Sequence, residues 1–360
     1  MNLERTVELA LCKDGSPDAA AVAILSGNCV RRYALGKNPE TLALHALAPL
    51  DGVIDDRCGE GESWHGIPVL RTAEADKAAG VVSCSTSIQP VAAIDHLRAA
   101  GFKYAASYAG VVRAAGSALP LPAFVTSQRM ELAAHLPAWQ SIHDALGDEE
   151  SRQTLLDVLG FRLSADPEYM RRYSVRIAEQ YFEDFMQYSN EVFVDASGYD
   201  GDTTEAFAAR HPDYRKVLFF EPSARNMASA RPRLARLRDI EFFPLGLSDA
   251  RELLRFNPES GSASSVSESG SEQICCDTLD AVVSEPVSFI KMDLEGWEMP
   301  ALRGAAGHIG NDRPKLAIAI YHNAEDLRLV YQFVTEFGHG YRTYLRHYTQ
   351  GWSETVLFFC

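Results

Sequence analysis

The feature that most constrains the fold of this chain is the order of residue types in VFVDASGYDGDTTEAF, residues 192–207. An apolar run ends in Asp195. A tight turn follows with Gly198 and Gly201, and Asp202, Thr203 and Thr204 then open a helical pattern. Asp or Thr at such a start can cap the free helix N–H groups. A strand that turns so tightly into a helix suits a doubly wound α/β sheet, where ligands lie beyond the carboxyl ends of the strands. Glycine there lets a ligand approach the backbone closely. The motif alone also describes an ordinary strand–turn–helix.

The alternation continues to the end of the chain. Strands are predicted at 191–195, 216–221, 240–245, 287–293 and 315–321, with helices at 203–210, 224–237, from 298, and at 324–337. Residues 341–347 and 354–359 are expected to close the sheet as an antiparallel pair at its edge. The N-terminal third shows a second alternation. AAAVAIL (19–25) reads as a buried strand, followed by strands at 50–55, 67–70, 80–84 and 104–107 and helices at 39–48, 72–79 and 90–100. Alternation of this kind implies a parallel sheet covered by helices. Between the two, residues 123–190 read as helical throughout, including a long aromatic and charged helix over 169–188. The expected organisation is a small Rossmann-like α/β domain at 1–118, a helical connector at 119–189 and a larger Rossmann-like domain at 190–360. A length of 360 residues suits about two domains.

Spacing then points to a ligand. The strand after the turn, KVLFFEPS, ends in Glu221, where an acidic side chain can accept hydrogen bonds from both ribose hydroxyls of an adenosine cofactor. The bland alternative is a surface Glu at a strand end. Ser248, in GLSD after the third strand, falls where an adenine pocket would form. A dinucleotide site wants G-x-G-x-x-G at the helix N-terminus. This turn lacks it and carries Asp200 and Asp202, which would repel a pyrophosphate and suit a sulfonium with an ammonium group. S-adenosylmethionine is therefore the expected cofactor, held by Asp195, Gly198, Gly201, Thr203, Thr204, Glu221 and Ser248.

The reaction end is expected in IKMDLEGWEMPALRGA, residues 290–305. Lys291, Asp293 and Glu295 alternate, so on a strand they point to one side. Asp293 and Glu295 would bind a metal, place a substrate hydroxyl or take its proton. A divalent metal at Asp293 is left open. His322 directly follows KLAIAIY and is read as a catalytic or substrate-binding residue, with Asp326 one helical turn later; His347 is a weaker candidate. A lone His is more often a hydrogen-bonded structural residue.

These stretches resemble the FkbM family of methyltransferases. The resemblance covers residues 190–360 and rests on VDASGYDGDTT, FFEPSARN, LGLSD, the TLD of 278–280 and above all IKMDLEGWEMPALRGA. It implies a class I methyltransferase fold, S-adenosylmethionine as donor and an oxygen acceptor on a small natural product or sugar. It also implies cofactor contacts at Asp195, Gly198, Gly201 and Glu221 and places Asp293 and Glu295 in a DxEG motif near the reaction centre. Ser197 departs from the pattern, standing where these turns often have their first glycine. In the N-terminal part, GVIDDRCGEGESWHGIPVL (52–70) resembles small Rossmann-like domains that precede some sugar-modifying enzymes. Because SGNCVRR after AAAVAIL holds no G-x-G-x-x-G, scaffolding, substrate recognition or dimerisation is expected there rather than nucleotide binding.

Composition limits the partners. Net charge is −15, which disfavours a nucleic-acid partner, and the basic stretch 225–238 reads as a solvated helix face. No run approaches the ~18 apolar residues of a membrane span, and the first 14 residues lack the pattern of a signal peptide. No membrane partner and a cytoplasmic location are the expectations. The seven cysteines contain no C-x-x-C pair, against a disulfide framework or zinc site. A homo-oligomer through the N-terminal or helical region is compatible with this reading. Alternatives to O-methylation are N-methylation of a peptide or amino sugar, or a non-catalytic recognition protein; a dehydrogenase is disfavoured by the acidic turn. The Ser-rich insert 260–271 is either a lid over the substrate or a plain surface loop.

Overall fold

The computed structural model describes residues 3–12, 18–256 and 272–360. Contacts divide the chain into two compact units. One contains residues 1–136, 153–175 and 347–353; the other contains 137–152, 176–346 and 354–360.

The first unit is built on short apolar runs that form a sheet in the order β3-β4-β2-β1-β5-β6. Its strands are β1 Arg32–Leu35, β2 Gly52–Ile54, β3 Ser63–Trp64, β4 Ile67–Leu70, β5 Gly80–Ser83 and β6 Tyr104–Ser107. All neighbours pair in parallel except β3 with β4. Two expectations fail here. AAAVAIL forms a helix, Ala19–Leu25, not a strand. Asp18 caps it by accepting from the Ala20 N–H at 2.8 Å, and alanine is the best helix former. Ala21 and Ile24 are buried while Val22 is exposed, a helical rather than an alternating pattern. Residues 72–79 hold turns instead of a helix. Glu74 accepts from the Arg71 N–H and Asp76 from the Ala78 N–H, and these local bonds replace helical ones.

The second unit carries a seven-stranded sheet in the order β15-β16-β14-β13-β7-β8-β9. Its strands are β7 Val192–Ala196, β8 Lys216–Phe220, β9 Ile240–Phe243, β13 Phe289–Met292, β14 Lys315–Ala319, β15 Thr343–His347 and β16 Thr355–Phe359. A small three-stranded sheet is made by β10 Gly246–Leu247, β11 Glu252–Phe256 and β12 Glu272–Asp277. From β7 the chain winds outward one way through β8 and β9, then returns and winds the other way through β13 and β14. The strand order thus reverses between β7 and β13, the position beyond whose carboxyl ends doubly wound sheets hold their ligands. Phe193, Phe207 and Phe289 pack beside these strands, with Phe193 and Phe289 stacked at 4.7 Å. The expected terminal pair is present with one change. β16 pairs antiparallel with β14 and sits inside the sheet, so only β15 occupies the edge.

The expected helical stretch 123–190 is helical at Ala123–Ala145 and Glu149–Ser164 and then ceases to be. The first of these helices is broken at His135, two residues before Pro137, whose ring cannot continue a straight helix. Over 167–188 there are only short 3₁₀ turns, and Tyr181 and Gln187 have positive φ of 74° and 47°. No residue with such φ continues a right-handed helix. Among the described residues no single helix is long and apolar enough to cross a membrane. The Ser-rich insert 260–271, read as either a lid or a plain surface loop, lies outside the described residues.

Candidate active site

The turn after β7 is locked from inside. Asp195 is fully buried, and Thr204 donates to its Oδ2 at 2.7 Å. Lys291 lies opposite Asp195 in the β7–β13 register, with Nζ 3.3 Å from Oδ1. Its ammonium also donates to the carbonyls of Ser197 at 3.0 Å and Ala196 at 3.4 Å. Burial pushes the Lys291 pKa down, and Asp195 with Asp293 more than reverses this, so Lys291 stays charged. Asp195 and Thr204 are therefore internal struts of the turn.

The turn itself needs unusual backbone. Gly201 has φ 90°, and Ser197 and Tyr199 take φ 62° and 51° although neither is glycine. Side chains rarely adopt this region, which accounts for the Ser197 departure in the sequence pattern: the conformation suits glycine but is held by Lys291 on the Ser197 carbonyl. At Gly198 an added Cβ would overlap the Phe219 ring, so the turn must lie against β8. The helix Asp202–Arg210 has Gly201 at its N-cap, with no side-chain cap, against the expectation of an Asp or Thr cap. Thr203 stands in the first turn, its N–H bonded to Asp202 at 2.7 Å. Asp200 pairs with Arg233 at 2.8 Å, so only part of the acidity foreseen for this turn is unpaired.

Glu221 follows β8 and is buried. Its Oε2 accepts from the Tyr199 N–H at 2.9 Å and Oε1 from the Ser223 N–H at 2.8 Å. Burial raises its pKa. A carboxylate offers roughly four acceptor sites, so capacity remains on Oε2 for a ribose hydroxyl. Ser248 is fully buried, donating to Glu252 at 2.7 Å and accepting from the Trp297 indole at 3.2 Å. The glycine-bearing turn and the neighbouring carboxylate are the donor and acceptor set that an adenosyl amino acid requires, and in that respect the crevice fits S-adenosylmethionine.

At the carboxyl end of β13 the residues converge differently from the expected alternation. The strand ends at Met292, so Glu295 is not presented by a pleat. A tight turn presents it instead, with φ 54° at Glu295 and 94° at Gly296. Asp293 accepts from the Tyr181 hydroxyl at 2.7 Å and the Tyr321 hydroxyl at 3.2 Å. His322, just past β14, brings Nε2 to 3.5 Å from Asp293 and 3.3 Å from Glu295, and Nδ1 to 3.0 Å from Glu298. Burial pushes the His322 pKa down, and Glu295 and Glu298 more than reverse it, to about 11. Burial raises the Glu295 carboxyl. It also raises Glu354, helped by Asp293, to about 7.

Asp326 is not part of this surface; it is buried, accepting from the Asn323 N–H at 2.6 Å and fixing the loop that carries His322. His347 stands in the other unit, edge-on to Tyr173 at 5.1 Å. Sequence reading did not single out Tyr181, Tyr321, Glu298 or Glu354. Glu298 and Tyr321 adjoin the motif and its flanking strand, and that was their one signal. Tyr181 and Glu354 reach the site through long-range contacts with no local pattern.

Residues 194–348 match the family model described as the methyltransferase FkbM domain. The whole chain is similar in fold to the crystal structure of methyltransferase FkbM from Methylobacillus flagellatus KT. That likeness has a TM-score of 0.75 at 23% identity, covering 99% of this chain and 98% of the other. A putative rRNA methylase from Clostridium thermocellum is far less similar, with TM-score 0.33 at 12% identity over 54% of this chain and 92% of that one. Fibrillarin from Aeropyrum pernix, solved with S-adenosyl-L-methionine, gives 0.32 at 13% identity over 48% and 67%. No curated protein matches the chain. The fold is the Rossmann-like class I methyltransferase sheet.

Proposed function

Residues 194–348 of this chain are a methyltransferase FkbM domain, dependent on S-adenosylmethionine, and on that premise we propose that it methylates a hydroxyl oxygen of a small natural product or sugar. The observation that carries the reading is the meeting of Asp293, Glu295 and His322 beyond the carboxyl end of β13, beside the turn after β7.

Glu221 and the turn from Asp195 to Thr204 would hold the adenosyl and amino-acid parts of the donor. S-adenosylmethionine supplies an electrophilic methyl group on a sulfonium sulfur. The acceptor oxygen forms the new C–O bond as the S–C bond breaks, and its proton must leave. Glu295 is the proposed base, because burial brings its carboxyl toward neutrality, where a general base works best. His322, held charged by its carboxylate neighbours, orients Glu295 rather than taking the proton itself. Tyr181 and Tyr321 fix Asp293 for hydrogen bonding to the acceptor. Most of the remaining acceleration comes from alignment of the two reactants.

The test is to incubate the chain with isotopically labelled donor and a panel of sugars, hydroxylated small molecules, amino sugars and peptides. Mass spectrometry of products then locates the methyl group. A methyl ether supports the proposal, and a methylamine as sole product replaces it with the N-methylation reading.

A further inference from the structure

We propose that Asp293, Glu298 and His322 form a binding site for a divalent cation. Each offers one donor atom, and the three atoms lie within 4.8 Å of one another. Donors on opposite sides of an ion stand twice the metal–ligand distance apart. At about 2.1–2.4 Å per bond that is about 4.2–4.8 Å, so the spread suits a small ion with modest side-chain adjustment.

Hydrogen bonding supplies an independent reason. The Glu298 side chain is 1% exposed, and its Oε2 accepts no hydrogen bond. The His322 side chain is 9% exposed, and neither ring nitrogen makes a well-directed hydrogen bond, although carboxylate oxygens stand 3.0–3.5 Å away. Buried polar atoms in this condition are rare and call for a partner. A proton on the imidazole balances charge but leaves Glu298 Oε2 without a donor. A metal ion answers Glu298 Oε2 and one ring nitrogen at once; it displaces the imidazole proton and takes over from the charged ring the balancing of the surrounding carboxylates.

The surroundings are those of a metal site. Three carboxylates, Asp293, Glu295 and Glu298, lie within 3.5 Å of the one imidazole. Tyr181 and Tyr321 hydroxyls hold Asp293, and the Leu294 N–H holds Glu298 Oε1 at 2.7 Å. Such outer partners orient ligands and tune affinity. Two carboxylates with one imidazole favour a first-row transition ion, Mn²⁺ or Zn²⁺, over the purely oxygen-bound Ca²⁺. Glu295 is left over, so the site stands whatever the acceptor is.

The full chain, stripped with chelator, is titrated with Mn²⁺ alone and free Mn²⁺ is followed by electron paramagnetic resonance. Saturable binding of a single ion with Kd below about 100 µM is expected. Asp293→Asn, Glu298→Gln and His322→Gln should each weaken it by about tenfold or more. Circular dichroism of the metal-free variants checks that they fold. Should a variant fail to fold, pulsed resonance on the wild-type Mn²⁺ complex decides, because coordinated imidazole couples ¹⁴N to the metal. No saturable binding up to about 1 mM, binding unchanged in all three variants, or no ¹⁴N coupling would overturn the proposal.

Discussion

Lys291 and Asp195 face each other across β13 and β7 as a fully buried ion pair, Nζ to Oδ1 3.3 Å, and the same ammonium holds the carbonyl of the strained Ser197. One cation thereby links the strand that leads into the DxEG turn to the turn proposed to hold the donor.

Removing that cation leaves the buried Asp195 carboxylate without its ion-pair partner. Lys291→Met should destabilise the chain by about 3–5 kcal/mol, the usual cost of breaking a buried pair from one side. Denaturant unfolding measures it. A loss below about 1 kcal/mol would show that Asp195 is satisfied without Lys291.

Gly198→Ala places a methyl group into the Phe219 ring. The turn must then lift off β8, at a cost of about 1–3 kcal/mol. Donor affinity should fall with stability, because the displaced backbone is the proposed donor cradle. Calorimetry beside a melting curve reads both quantities.

Glu295→Gln removes the proposed base and keeps the shape. With an acceptor from the product screen, kcat should fall by about 10²–10⁴ while donor affinity holds. Unchanged kcat would take the proton-accepting role from Glu295.

Acid sensitivity should come from a separate place. Burial pushes the Asp148 carboxyl up, and Arg346 and Ser151 more than reverse it, leaving it at about 2. Arg346 lies 2.7 Å from Asp148 and also faces Glu150 at 3.4 Å and Glu183 at 3.9 Å. A carboxyl lowered on folding contributes stability that is complete above its unfolded pKa and lost as pH falls through the folded one. The loss should therefore occur between about pH 4 and pH 2. Asp148 is about one-third exposed, so solvent screening reduces the contribution to about 1 kcal/mol. Asp148→Asn should flatten the pH dependence of unfolding free energy in that window.

The sheet of the second unit was legible in the sequence because its strands are short apolar runs ending at Asp195, Glu221 and Asp293, each followed by a turn. The helix Ala19–Leu25 reads as a strand in the sequence because an alanine-rich apolar run has no period, and only the Asp18 cap distinguishes it. The stretch 169–188 carries helix-compatible residues, but its course is set by tertiary contacts such as Tyr181 on Asp293. The sequence places Glu295 at the carboxyl end of β13, but positive φ rather than strand alternation presents it. In the sequence Lys291 is only one of an alternating set. Its partner across the sheet became visible only once the β7–β13 register was known.

A donor site between the turn after β7 and Glu221 underlies the whole functional reading. The most direct measurement is calorimetric titration of the full chain with S-adenosylmethionine, repeated on Glu221→Ala with folding checked by circular dichroism. One donor should bind per chain with Kd on the order of micromolar, weakened by about tenfold or more in the variant. No binding at about millimolar donor, or equal affinity in a folded variant, would contradict it.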